Sequence, residues 1–144
     1  NEVALVKVDT TNNGGVADIL RRHKHLVVVD VVASNSPTKP GYSQLRDQLW
    51  WEARERIRSS LALPDDKELH DDLSAPLYEY DEKGRKKVES KKRMRKRLGR
   101  STDKADSLIL AIYEPGTQAV TNLVLAAQED DDEEDDEEED DGRF

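Results

Sequence analysis

The sequence contains no cysteine, which removes disulfides and thiolate zinc sites together and agrees with a reducing compartment. Any metal ligand must then be Asp, Glu or His. The three histidines, His23, His25 and His70, form neither HxxxH nor HExxH, so structural or surface roles suit them better than zinc ligation. No Ser-His-Asp or Cys-His pattern is present. Gly14-Gly15, ahead of a helical segment, matches neither GxGxxG nor a P-loop and reads as turn geometry. No apolar stretch approaches the roughly 20 residues that span a bilayer, and the start NEVALVKVD lacks the basic-then-apolar form of a signal peptide. A soluble, cytoplasmic chain is expected. It has no initiator Met and opens almost directly into a strand-like run, as a piece of a longer protein would.

What is abundant is charge, and it is unevenly placed. Residues 129 to 141, EDDDEEDDEEEDD, are all acidic; such a run buries no apolar surface and is expected to be a disordered tail. The chain holds 32 acids and 23 bases, and residues 129–144 account for 13 of the acids and one base, Arg143. Residues 1–128 therefore carry 19 acids against 22 bases, a net of +3. The acidic isoelectric point describes the tail. A chain of 144 residues suits one core, so the expected division is a single α/β domain over 1–128 and the tail over 129–144.

Val3 to Val8 is short and β-branched and runs into Asp9 and the turn cluster TTNNGG. Val16 to His23 fits a short helix, and HLVVVDVVAS is a nearly continuous apolar strand of the kind buried on both faces. Strand, helix, strand in this compass predicts a right-handed βαβ unit with parallel strands. Asp9 then lies at the carboxyl end of its strand, where open α/β sheets place their sites. Beyond the loop SNSPTKPGY, Leu45, Leu49, Ala53, Ile57 and Leu61 repeat at intervals of four through a helix that also carries Trp50 and Trp51. LALPDDKELHDDLSAP predicts a short strand or extended entry, a Pro-Asp start signal, a short helix and a Pro stop. LYEYDEKGRKKVES predicts a β-hairpin around a turn-rich centre. KKRMRKRLG is a basic helical turn or loop ended by Gly99. The helix beginning near Ser101 or Thr102 is apolar on nearly all sides through Leu108-Ile109-Leu110-Ala111-Ile112-Tyr113, as a core helix would be. AVTNLVLAA follows.

Three carboxylates form the first candidate constellation: Asp9 at its strand end, and Asp103 and Asp106 one turn apart at the mouth of that apolar helix. Hard divalent cations want carboxylate oxygens from rigid, separate elements, and two-metal phosphodiesterases hold two such ions. The plainer alternative is that Asp9 caps its turn and Asp103 is a first-turn acid stabilised by the helix dipole. The second feature is the run from Lys83 to Lys104, with 12 bases against Glu89 and Asp103. Lys86, Lys87, Lys91, Lys92, Arg93, Arg95, Lys96, Arg97, Arg100 and Lys104 are its candidate contacts to a nucleic-acid backbone, because bases this dense repel one another unless a polyanion is present. Adjacent tryptophans such as Trp50 and Trp51 offer base stacking, or one ring in the core and one at its rim.

Taken together, VKVDTTNNGGVADILRR, YSQLRDQLWWEARERI and above all the stretch LPDDKELHDDLSAPLYEYDEKGRKKVESKKRMRKRLGRSTDKADSL resemble the later part of the C-terminal nuclease domain of tailed-phage terminase large subunits. The resemblance covers about residues 3 to 113. It implies a ribonuclease H-like mixed sheet flanked by helices, lacking its first strands here. It implies two Mg²⁺ or Mn²⁺ ions that cut double-stranded DNA during genome packaging, in the host-cell cytoplasm. By position Asp9 and Asp103 match catalytic metal ligands, with Asp106 a further ligand one turn on. An ATPase domain, a small subunit and a portal are the partners implied. The family places another Asp on a strand upstream of Asp9, so residues 1–144 alone are expected to bind DNA without cutting it. The competing functions are a catalytically silent DNA-binding or packaging-assembly module and a Holliday-junction resolvase-like enzyme.

Overall fold

A computed structural model describes residues 4–12 and 14–116, together with 121, 123 and 125. The acidic tail and most of AVTNLVLAA lie outside the described residues. Strand β1 (Ala4–Asp9), helix α1 (Gly15–Leu20) and strand β2 (Leu26–Val31) form the expected βαβ unit, with β1 and β2 parallel in the register Ala4 to Leu26 through Asp9 to Val31. Helix α1 stops short of His23 because Arg22 N–H and His23 N–H donate to the carbonyls of Ile19 and Leu20, three residues back, and this tightening ends the helix. Val27, Val28 and Val29 point alternately to opposite faces and all are buried, so β2 is covered on both sides as its continuous apolar run requires.

Helix α2 (Leu45–Ser59) lays Leu45, Leu49, Trp50 and Ala53 against β2, in one cluster with Val29, Val31, Val88, Ala105 and Ile109. Two buried polar residues, invisible to an apolar count, fix its start. Asp47 accepts from its own N-cap Gln44 N–H at 2.8 Å and from Val88 N–H at 2.8 Å. Gln48 Oε1 accepts from Thr38 N–H at 2.8 Å and Lys39 N–H at 3.1 Å. Helix α3 (Lys67–Ser74) starts on Asp66, whose carboxylate accepts from Leu69 N–H at 3.0 Å, an N-cap of the usual kind. Strands β3 (Tyr78–Tyr80) and β4 (Lys86–Val88) pair antiparallel around Gly84, whose φ of 70° suits a residue without Cβ. Helix α4 (Lys91–Leu98) is capped by Ser90 and ended by Gly99 at φ 75°.

The last described helix, α5 (Asp103–Ile112), departs from its expected all-round burial. Ala105 and Ile109 are buried, Leu108, Leu110 and Ile112 are half-buried, and Ala111 is exposed. It packs through one side against α2, α3 and β1, and Lys7 of β1 donates to the carbonyls of Ala111 and Tyr113 at its end. A second departure concerns the sheet. A single mixed sheet is expected, but among the described residues β1–β2 and β3–β4 are separate two-stranded sheets, because β4 is held by the Asp47 carboxylate and a bridge to Tyr42 rather than by β2. Among the described residues no helix is long and apolar enough to cross a membrane.

Candidate active site

Strand β1 delivers Asp9 to its carboxyl end, and the turn beyond holds it there. Asp9 Oδ1 accepts from Thr11 N–H at 3.0 Å and Thr11 Oγ1 at 2.5 Å, and Thr11 Oγ1 in turn accepts from Ala33 N–H at 2.9 Å. Thus the side-chain turn expected of a strand-end Asp is present, but it uses one carboxylate oxygen and leaves the other. Asp9 Oδ2 lies 3.5 Å from Lys91 Nζ, and the same ammonium lies 3.3 Å from Asp106 Oδ2. A residue at the first turn of α4 therefore bridges a carboxylate from the end of β1 and one from the first turn of α5.

The two acids titrate differently in this setting. Burial works against the charge of Asp9, but the two Thr11 bonds and the Lys91 ammonium outweigh it and hold the carboxyl below its usual range. Asp106 is more enclosed, and burial pushes it above that range although Lys91 and Arg46 oppose the shift and Asp103 adds to it. Asp103 stands apart from the pair. It is exposed, accepts from Ser101 Oγ at 2.6 Å, and shares with Asp106 a small recess of about 50 Å³. The structure thus joins Asp9 with Asp106 through Lys91, and leaves Asp103 at the rim.

Arg46, on α2, belongs to this neighbourhood and carries no signal in the sequence beyond its place in an amphipathic helix. Its guanidinium lies 5.9 Å from the Trp50 ring centroid, and Nη1 donates to Val88 O at 3.5 Å. Nε and Nη2 are buried without a described partner. Burial lowers its pKa, and Asp106, Asp47 and Glu89 counter that. Two cations, one bridging and one behind, therefore surround a carboxylate that would otherwise be too costly to ionise.

Two of the donors here fit the metal that the resemblance implies. Oδ2 of Asp9 and Oδ2 of Asp106 already converge on one positive charge, and hard oxygen donors in that arrangement suit a divalent cation. Among the described residues, however, no group of three or more His, Cys, Asp or Glu is placed to hold a metal.

The basic run divides on inspection. Arg97 pairs with Glu89 at 2.5 Å, Arg100 with the buried Asp72, and Lys104 with Asp66 at 2.7 Å and Glu68 at 2.8 Å. Lys87 and Arg93 reach Glu79 at 3.6 and 3.9 Å, and Lys86 lies over the rings of Trp51 and Tyr42. Lys92, Arg95 and Lys96 make no ion pair with a described residue and stand exposed on α4.

No family model matches the chain, and no curated protein sequence matches it. Its fold is similar to that of a solved structure described as the nuclease domain of the large terminase subunit gp2 of bacterial virus Sf6, with a TM-score of 0.58 and 16% sequence identity. The likeness covers 78% of this chain and 66% of that one. At that identity it establishes the fold, in agreement with the resemblance read from LSAPLYEYDEKGRKKVESK and RSTDKADSL.

Proposed function

We propose that this chain is part of a metal-dependent endonuclease domain that cuts double-stranded DNA, of the kind found in phage terminases. The observation that carries the reading is the convergence of the Asp9 and Asp106 carboxylates on the Lys91 ammonium, in a fold similar to a terminase nuclease domain. Asp9 and Asp106 would hold a Mg²⁺ or Mn²⁺ ion, which when bound supplies Lewis-acid polarisation of a phosphate and a water of lowered pKa. Thr11 fixes the Asp9 carboxylate so that Oδ2 faces the site. Lys91 balances the two carboxylates, and Arg46 keeps Asp106 ionised from behind. Lys92, Arg95 and Lys96 offer the uncompensated positive charge that a DNA backbone meets first.

A second ion would need a further carboxylate, which the resemblance places on a strand ahead of β1. The silent DNA-binding module remains the second reading, because among the described residues no group of three or more His, Cys, Asp or Glu is placed to hold a metal ion. Nicking of supercoiled plasmid in Mn²⁺ separates the two. The endonuclease reading expects cleavage by a chain extended through that upstream strand, abolished by Asp106→Asn, with little or none by residues 1–144. Duplex binding without cleavage in either form would favour the silent module.

A further inference from the structure

Two tryptophans stand side by side on α2, and the core uses one of them. Trp50 is buried in the central cluster. Trp51 is half-buried and turns toward the hairpin, where its ring meets Tyr78 edge to face at 4.8 Å, and Tyr78 meets Tyr80 in the same manner at 6.1 Å. Tyr78 and Tyr80 are 59% and 60% exposed, so neither contributes to the core. Cations lie on the same rings: Lys86 Nζ is 4.6 Å from the Trp51 centroid and 5.3 Å from that of Tyr42, and the Arg54 guanidinium is 5.5 Å from Trp51.

Beside Trp51 and Tyr78 opens a cavity of about 530 Å³ between α2, α3 and the hairpin, a volume within the ordinary range of ligand pockets. Its floor and walls are apolar, including Ile57, Leu63, Leu73 and Leu77. Its charged and polar lining comes from Arg54, Arg58, His70 and Ser74, and no Asp or Glu lines it. Arg58 makes no ion pair with a described residue, and Arg54 pairs only at the surface with Glu55. Flat π faces on an apolar bed with a cationic rim fit a ligand that is flat and apolar on its faces and anionic at its edge.

An unpaired nucleotide is such a ligand. We infer that this cavity holds unpaired bases of a single DNA strand, stacked against Trp51 and Tyr78, with the flanking phosphates on Arg54 and Arg58. Base stacking of this kind tolerates any sequence because every base has a π face, and cations seated on the rings reinforce it. Val88 lines the cavity and lies three residues before Lys91, so a strand left unpaired beside the Asp9–Asp106 site has the cavity within reach. The inference rests on the nuclease reading only for the origin of that strand.

The test is equilibrium binding by the full chain in EDTA, which removes cleavage from the measurement. Fluorescein-labelled oligo(dT), an abasic strand of equal length and a blunt duplex are compared. Oligo(dT) is expected to bind and quench the tryptophan emission, and the abasic strand to bind far more weakly. Tyr78→Ala should weaken oligo(dT) binding roughly tenfold and leave duplex binding unchanged, while Tyr78→Phe retains the affinity. Arg58→Gln should lower the log–log salt slope on the single strand by about 0.7. Equal affinity for oligo(dT) and the abasic strand would overturn the inference. So would a Tyr78→Ala protein with unaltered circular dichroism that binds oligo(dT) as the wild type does. A dimer that Tyr78→Ala converts to a monomer, with oligo(dT) affinity untouched, would assign the cavity to a second copy and overturn it as well. Loss of the stacking effect with Mn²⁺-dependent nicking by the extended chain intact removes this inference alone, and stacking retained with no nicking by that extended chain removes the nuclease reading alone.

Discussion

Helix α4 and the residues just after it carry two kinds of cation. Arg97 and Arg100 reach inward to Glu89 and Asp72, carboxylates whose side chains are 5% and 1% exposed. Lys92, Arg95 and Lys96, interleaved with them, make no such pair among the described residues. The difference teaches that density of charge along a sequence does not separate cations that hold a fold together from cations free for a ligand. Apart from Glu89, the partners of the first kind sit far off in the chain: Asp72 is on α3, and Asp66 and Glu68, which hold Lys104, are at or beside its start. Part of the repulsion that a polyanion was expected to relieve is relieved inside the fold.

The sharpest way to break this comparison is to remove an inward cation. Asp72 Oδ2 has no hydrogen-bond partner among the described residues, so Arg100 is the main compensation for a buried charge, and taking away one member of such a pair is far worse than removing both. Arg100→Ala should lower Tm on the order of 10 °C, and adding Asp72→Asn should restore part of the loss. Thermal melts of the single and double substitutions check this. Equal Tm for wild type and Arg100→Ala would place Arg100 with the outer group.

A smaller effect of opposite sign is expected at the candidate site. The Asp106 carboxyl is pushed above its usual range by burial, so its charge costs stability at neutral pH, and that cost is relieved as pH falls through the raised value. Because the group is partly open to solvent, Asp106→Asn should raise Tm by only about 2–4 °C, the mark of a site that trades stability for function. Glu89 behaves in the reverse sense. Arg97 holds it below the usual carboxylate range despite burial, so its contribution is present above the unfolded value near 4.5 and is lost as pH falls from there through the lower folded value. Arg97→Gln should therefore flatten the acid limb of a stability-against-pH curve. Replacing Lys92, Arg95 and Lys96 together by Gln should change stability least, within roughly 0.5 kcal/mol for each. It should nevertheless lower the log–log salt slope of duplex binding by about 0.9 per lost contact.

Local elements were legible in the sequence because local rules determine them. β-branching located β1 and a nearly continuous apolar run located β2, the four-residue apolar spacing located α2, and Gly99 ended α4. Burial across elements was not legible. α5 reads as a core helix, yet packing covers it on one side only. Asp47 and Gln48 look like the polar face of α2 but are buried, since each satisfies backbone N–H groups from a loop or a strand distant in sequence. At the site, the resemblance put Asp103 first as the ligand and Asp106 second, one turn on. Helix geometry separates them by most of a turn, and only the placement of β1 and α4 determines that Asp106 meets Asp9 through Lys91. Arg46 left no trace because a half-buried arginine and a surface arginine have the same letter.

The claim at the centre of this account is that Asp9 and Asp106, with Lys91 between them, form the cation site, and that Asp103 stands outside it. Mn²⁺ binding measured by the electron paramagnetic resonance of the free ion, on wild type, Asp9→Asn, Asp103→Asn and Asp106→Asn, tests it most directly. The account predicts one bound Mn²⁺ in wild type and in Asp103→Asn, and loss of binding in Asp9→Asn and Asp106→Asn. Binding that survives Asp106→Asn and disappears in Asp103→Asn would contradict it.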